Sequence, residues 1–137
     1  MIDYDFLILQ HNEFECLSRD LIQKKENVFV ESFTIGRDSG IDLRFAKIKN
    51  SRSIVQAKRY KSLATLMSEL KKEVKKISGL SIDRYILCTS IGLTPKNKSE
   101  IKALFEPYII STEDIIGRDD LNNLLGLYPE IEKKYYK

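Results

Sequence analysis

The segment Arg84–Thr89, with the sequence RYILCT, constrains the fold more than any other part of the chain. Its four central residues are all apolar, without the polar alternation of a strand that has one solvated face. A strand of this kind is buried on both faces, so helices must cover the sheet from both sides. The run therefore predicts a central strand in an α/β sandwich.

Two helices with clear signals lie on either side of this strand in the sequence. Thr94 is a good N-cap and Pro95 suits the first helical position, which predicts a helix through about Phe105. Before the strand, apolar residues at helical spacing predict a longer helix: Leu63, Leu66, Met67, Leu70, Val74 and Ile77.

The rest of the chain predicts another helix and further strands. Asn12 is a strong N-cap and Glu15 follows as in a capping box, so we expect a helix from Asn12 to about Gln23. The other strands are expected at Val28–Phe33, Ile41–Phe45, Ile54–Tyr60 and Tyr108–Ile110. The second and third of these should form an antiparallel hairpin across a short polar loop. The order α-β-β-β-α-β-α-β indicates a mixed β-sheet flanked by helices.

Composition limits the classes of protein. The chain has 137 residues, 42% of them hydrophobic, enough to bury one core. It has no apolar run of about 18 residues, so we expect no membrane contact and a cytoplasmic location. Cys16 and Cys88 lie in apolar patterns and are expected to be free thiols. Residues 58–102 carry 11 Lys and Arg against 4 Asp and Glu, which would suit a polyanion, although the charge taken alone is better explained by a solvated lysine-rich helix.

Three polar residues of the predicted hairpin could form a site. Gln56 and Lys58 share one face of their strand, and Asp42 lies on the partner strand. Together they offer a carboxylate, an amide oxygen and an ammonium, a set that suits phosphodiester hydrolysis with a hard cation such as Mg²⁺. Glu13 and Glu15 of the first helix offer a second carboxylate. By spacing alone, an ordinary solvated hairpin face explains these residues as well.

The sequence around these residues resembles a known family. GRDSGIDLRF, a short loop and VQAKRYK are similar to the Mrr-type branch of the PD-(D/E)xK restriction-endonuclease-like superfamily, which has G-x-D-x-G-[IV]-D and then Q-x-K. Tyr60 matches the aromatic residue after that lysine, and residues 14–17 match the F-E-x-L of the family's first helix. The resemblance implies a restriction-endonuclease-like fold and a metal-dependent endonuclease that cleaves double-stranded DNA.

The resemblance also implies roles for single residues. Asp42 is the main metal ligand, Gln56 and Glu15 are further ligands, and Lys58 is the catalytic lysine, with Mg²⁺ as cofactor and Mn²⁺ as a substitute. Gln56 departs from the glutamate of many relatives and supplies a neutral oxygen. Glu15 is also the predicted capping residue, so its role is open between catalysis and capping.

Four residues are candidates for contact with nucleic acid: Arg37, Arg59, Tyr60 and Ser90. Arginines at the surface and a hydroxyl in a turn also have ordinary structural explanations.

A second resemblance concerns the C-terminal part. The segments IGRDDLNNLL and YPEIEKKYYK are similar to the junction in bacterial antiviral STAND proteins, where a nuclease domain precedes an NTPase domain. This implies a nuclease domain at residues 1–118 and, at 119–137, a helical segment or linker that leads to an NTPase domain. Within that segment, Leu121, Leu124 and Leu125 form a short helical face, and residues 129–137 are expected to have little to bury. The whole protein would then be an anti-phage effector that oligomerises on a phage-derived trigger. A stand-alone restriction or repair nuclease, or a catalytically silent nucleic-acid-binding or oligomerisation module, are the alternatives.

Overall fold

The computed structural model describes residues 3–33, 43–47 and 50–136. The helices of this part are α1 (His11–Glu26), α2 (Leu63–Ile77), α3 (Pro95–Leu104), α4 (Arg118–Leu127) and α5 (Pro129–Tyr135). The strands are β1 (Glu31–Ser32), β2 (Leu43–Phe45), β3 (Ser53–Lys58), β4 (Arg84–Thr89) and β5 (Ile115–Ile116). Single 3-10 turns are formed by Phe6–Ile8 and Thr112–Asp114.

The strands form one mixed sheet in the order β1-β2-β3-β4-β5. The pairs β1–β2 and β2–β3 are antiparallel, whereas β3–β4 and β4–β5 are parallel. Leu43 pairs with Val55, which confirms the predicted hairpin. The predicted fold class, a mixed sheet flanked by helices, is also confirmed.

Two hydrophobic clusters cover the two faces of the sheet. On one face, Val55 and Ile86 pack with residues of α1, α4 and α5. On the other face, Ile54, Tyr85 and Leu87 pack with residues of α2 and α3. Alternate residues of β4 therefore enter different clusters, and burial of each large apolar side chain contributes about 1.5–3 kcal/mol. The predicted central position of this strand is confirmed.

The start of α1 differs from the prediction. The helix begins at His11, and the side chain of Glu13 accepts a hydrogen bond of 2.8 Å from the backbone N–H of Gln10. The predicted capping box of Asn12 and Glu15 is therefore wrong. The physical reason is a hydrophobic staple, since Leu9 before the cap and Phe14 in the first turns are buried in one cluster.

Two predicted strands also differ. Of residues 28–33, only Glu31 and Ser32 pair with β2, because the backbone N–H of Val28 still donates a hydrogen bond to the carbonyl of Gln23 in the last turn of α1. The strand predicted at Tyr108–Ile110 is wrong, and the last strand of the described chain is instead β5. Ile110 is 65% exposed, whereas both residues of β5 are buried beside β4.

Helices α4 and α5 at the C-terminal end belong to the hydrophobic cluster that contains α1. Leu121, Leu125 and Ile131 are buried in the cluster that contains α1. The hydroxyl of Tyr135 donates a hydrogen bond of 2.7 Å to Asp20 of α1. The expectation that residues 129–137 have little to bury is therefore wrong, since Ile131 is buried, and the continuation of residues 119–137 into an NTPase domain stays a prediction.

The two cysteines are free thiols, as predicted, with Cys88 buried and Cys16 partly exposed. Burial raises the pKa of the Cys88 thiol to about 12. Within the described ranges, no helix is long and apolar enough to cross a membrane.

Candidate active site

Strand β3 directs Gln56 and Lys58 to the sheet face that α2 covers. Val55 and Ala57 enter the opposite cluster, as the alternation predicts. Gln56 is 1% exposed, and the side chain of Lys58 is 16% exposed. The alternative of a solvated hairpin face is therefore wrong for these two residues.

Glu73 of α2 forms an ion pair with Lys58. The Nζ atom of Lys58 lies 2.6 Å from Oε2 of Glu73, whose side chain is 5% exposed. Sequence reasoning missed Glu73, although a signal was present. It lies three residues after Leu70 and four before Ile77, both buried, so it occupies the apolar stripe of an amphipathic helix.

Side chains from the end of β4 fix the backbone around Lys58. The hydroxyl of Thr89 donates a hydrogen bond of 2.8 Å to the carbonyl of Lys58. The hydroxyl of Ser90 accepts from the N–H of Tyr60 at 3.0 Å and donates to the carbonyl of Tyr60 at 2.8 Å. The chain leaving β3 is thereby held against the chain leaving β4. Ser90 and Tyr60 as contacts to DNA stay predictions.

The remaining predicted residues are placed differently. Arg59 donates a hydrogen bond of 2.5 Å to the carbonyl of Leu7, near the start of the chain. Glu15 is a partly buried residue of α1, the helix on the opposite face from α2. It is not the capping residue of that helix, so the competing structural explanation for it no longer holds. Arg37 and Asp42 lie outside the described residues.

A second group of charges lies at the other end of the parallel strands. Arg84 pairs in register with Ser53, at the first residues of β4 and β3. Its guanidinium donates hydrogen bonds of 3.0 and 2.8 Å to Asp114 and one of 2.8 Å to Glu26. This hydrogen bond from Arg84 lowers the pKa of Glu26 to about 2. The charges of this group are matched within the protein, which indicates a structural role.

Comparison with known families gives a match over most of the chain. The Mrr catalytic family, described as "Restriction endonuclease", matches residues 7–124. The chain belongs to this restriction endonuclease family. The matched residues run from the first 3-10 turn into α4, and the mixed sheet with helices on both faces agrees with a restriction-endonuclease-like fold. Membership indicates a nuclease domain that acts on DNA.

One relative extends this similarity. This chain is 44% identical over 134 residues to the uncharacterized protein y4cD of Sinorhizobium fredii (strain NBRC 101917 / NGR234). The alignment covers 96% of this chain but 21% of that protein, so the chain spans about a fifth of its relative's length. No solved structure shows a significant match.

Restriction endonuclease domains generally use divalent metal ions, and the donors near Lys58 are chemically suited to one. The side chain of Gln56 offers an amide oxygen, the type of ligand that hard cations accept. Across residues 3–33, 43–47 and 50–136, no group of three or more His, Cys, Asp or Glu side chains could hold a metal by itself. The predicted main ligand, Asp42, lies outside the described residues, so its approach to Gln56 stays a prediction.

Proposed function

We propose that this domain is a metal-dependent endonuclease that hydrolyses phosphodiester bonds in double-stranded DNA. The observation that carries the proposal is the placement of Lys58. It is a largely buried lysine at the end of β3, next to Gln56 on the same face. Lysine and glutamine are mostly exposed in proteins, so their burial side by side calls for an explanation. Family membership supplies the reaction class, and this lysine supplies a group that can act on a phosphate.

Asp42 and Gln56 are the residues proposed to hold Mg²⁺, with Mn²⁺ as a substitute. Glu15 is proposed as a third ligand on the resemblance of residues 14–17 to the family's first helix alone, since α1 lies on the sheet face opposite to Gln56. When bound, the cation supplies a Lewis acid and lowers the pKa of a coordinated water. The ammonium of Lys58 then stabilises the negative charge that develops on the phosphate oxygens. Because Gln56 contributes a neutral oxygen, Asp42 and Glu15 provide the negative charge of the site.

Binding of the DNA backbone is proposed to involve Arg37, Arg59, Tyr60 and Ser90. The excess of basic residues over positions 58–102 supports this, since phosphate contacts account for most of the affinity for DNA. Arg59 and Ser90 already bond to the protein backbone, so their contribution requires an exchange of partners.

We further propose that the domain is the nuclease effector of a longer cytoplasmic anti-phage protein, active as a homo-oligomer after a phage-derived trigger. The short span of the chain relative to y4cD supports the longer protein. A stand-alone restriction or repair nuclease and a catalytically silent module are the alternatives.

Cleavage of supercoiled plasmid DNA tests the proposed activity. With Mg²⁺ or Mn²⁺ the domain should nick or linearise the plasmid, and EDTA should stop the reaction. Lys58→Ala and Asp42→Ala should abolish cleavage with the circular dichroism spectrum unchanged. Lys61→Ala, an exposed lysine near the end of the same strand, is the matched control and should cleave normally. Undiminished cleavage by Lys58→Ala would contradict the proposed nuclease mechanism. Metal binding by the domain without cleavage would favour an effector that becomes active only when several copies assemble.

A further inference from the structure

We propose that Glu73 is a positioning residue of the active site, which holds the ammonium of Lys58 in one place. The inference rests on the proposed function, because it concerns the residue to which that function assigns catalysis. The two charged atoms are 2.6 Å apart, and both side chains are largely buried. A contact this short between a strand and a helix fixes one end of a long and otherwise mobile side chain.

Packed residues lie on both sides of Glu73 along α2. Leu70 and Ile77, one turn before and one turn after it, are both buried in the cluster between α2 and the sheet. The backbone of Lys58 is held on its side by the hydroxyl of Thr89. Both ends of the ion pair are thus attached to packed elements. Such support is what an active-site group requires to keep its geometry.

Stability alone does not account for this pair. A carboxylate on the buried stripe of a helix loses its hydration, and a buried ion pair is often no more stable than an apolar replacement of similar size. A leucine at position 73 would continue the stripe of Leu66 and Leu70. The lysine side chain, in addition, loses rotamer entropy when its end is held. Ordering Lys58 before DNA arrives is a function that the ion pair performs and a leucine does not.

Glu69 on the same helix provides the comparison. It pairs with Lys72 at 3.4 Å, and its side chain is 37% exposed, as expected for a solvated helix face. The two glutamates have the same chemistry and lie one turn apart. Because Glu69 pairs with a solvated lysine, Glu69→Gln is the matched control for Glu73→Gln.

The test combines cleavage, binding and labelling in Glu73→Gln, Glu73→Leu and Glu69→Gln. For both Glu73 variants we expect the single-turnover cleavage rate at saturating DNA to fall by about 100-fold, the loss that a displacement of about 1 Å can cause. The Kd for DNA, measured with Ca²⁺ in place of Mg²⁺, should stay within about two-fold, because the groups that bind phosphate are unchanged. Glu69→Gln should cleave and bind as the wild type does.

Labelling gives a readout that does not depend on nuclease activity. Acetylation of Lys58 by acetic anhydride, followed by mass spectrometry, should be slow in the wild type and several-fold faster in Glu73→Leu, because the released ammonium reaches solvent. Equal labelling rates, or wild-type cleavage by Glu73→Leu, would overturn the positioning role. If Lys58→Ala cleaves normally, the proposed function fails, and the labelling rates still decide whether Glu73 holds the lysine. Should Glu73→Leu not fold, Glu73→Gln decides by the same two measurements.

Discussion

The hydroxyl of Thr89 donates a hydrogen bond of 2.8 Å to the backbone carbonyl of Lys58, which joins the last residues of two parallel strands. The hydroxyl oxygen of Thr89 also accepts a hydrogen bond of 3.3 Å from the backbone N–H of Ile91. Thr89→Val keeps the shape of the side chain but leaves these buried backbone groups with fewer partners. We expect the free energy of unfolding to fall by about 1–3 kcal/mol, as measured by urea denaturation.

Thr112→Val is the control for this change. Thr112 is exposed in a 3-10 turn, and its substitution should alter the free energy of unfolding by less than about 0.5 kcal/mol. Equal stability of Thr89→Val and the wild type would show that the hydroxyl does not hold the two strands together.

Acid should weaken the fold through Glu26. The pKa of this carboxyl is lowered from 4.5 to about 2, first by the hydrogen bond from Arg84. A lowered folded-state pKa stabilises the protein above the unfolded value, and this contribution is lost as the pH falls from about 4.5 towards 2. In urea denaturation between pH 5 and pH 3, the free energy of unfolding of the wild type should therefore fall more steeply than that of Glu26→Gln. Glu100→Gln, an exposed control, should keep the wild-type slope, and the same slope in Glu26→Gln would contradict the prediction.

Gln56→Glu should make the thermal stability of the domain depend on the metal ion. Gln56 is 1% exposed, so a carboxylate at this position is costly without a cation, and the Tm in EDTA should fall. A carboxylate binds a hard cation more strongly than an amide does, so the rise in Tm on addition of Mg²⁺ should exceed that of the wild type. Differential scanning fluorimetry with increasing Mg²⁺ measures both effects. The exposed control Gln10→Glu should respond to metal as the wild type does, and no larger response in Gln56→Glu would argue against a metal at this position.

Helix α5 should contribute to the stability of the domain. Ile131 is buried in the cluster with α1, whereas Leu127 at the end of α4 is 68% exposed. Ile131→Ala should lower the free energy of unfolding by about 2 kcal/mol, since it removes apolar contacts and leaves a cavity. Leu127→Ala should change it by less than about 0.5 kcal/mol. Urea denaturation that finds the two variants equal would mean that α5 is not docked on α1 in solution.

Several elements could be predicted from the sequence because their signals are local. The bounds of α2 and β4 agree with the prediction, and α3 begins after Thr94 as its cap and proline indicate. In each case the side chains that define the element are neighbours along the chain. The shared face of Gln56 and Lys58 follows in the same way, from the alternation of a strand.

Other features could not be predicted because they depend on which surfaces meet. The cap of α1 is decided by the contact of Leu9 and Phe14 within the core, and local cap preference favoured a start two residues later. The last strand is β5 rather than Tyr108–Ile110, because Ile115 and Ile116 are the residues that reach the edge of β4.

The candidate site likewise has one part that the sequence predicts and one part that depends on the tertiary structure. The sequence by itself determined that one strand presents an amide and an ammonium on one face, through alternation and the Q-x-K pattern. Only the tertiary structure decided that this face is buried and that Glu73 meets Lys58. That contact joins residues 15 positions apart and exists because α2 packs across β3. Local patterns describe the backbone of each segment, whereas the partner of a charged side chain is decided by the packing of one segment on another.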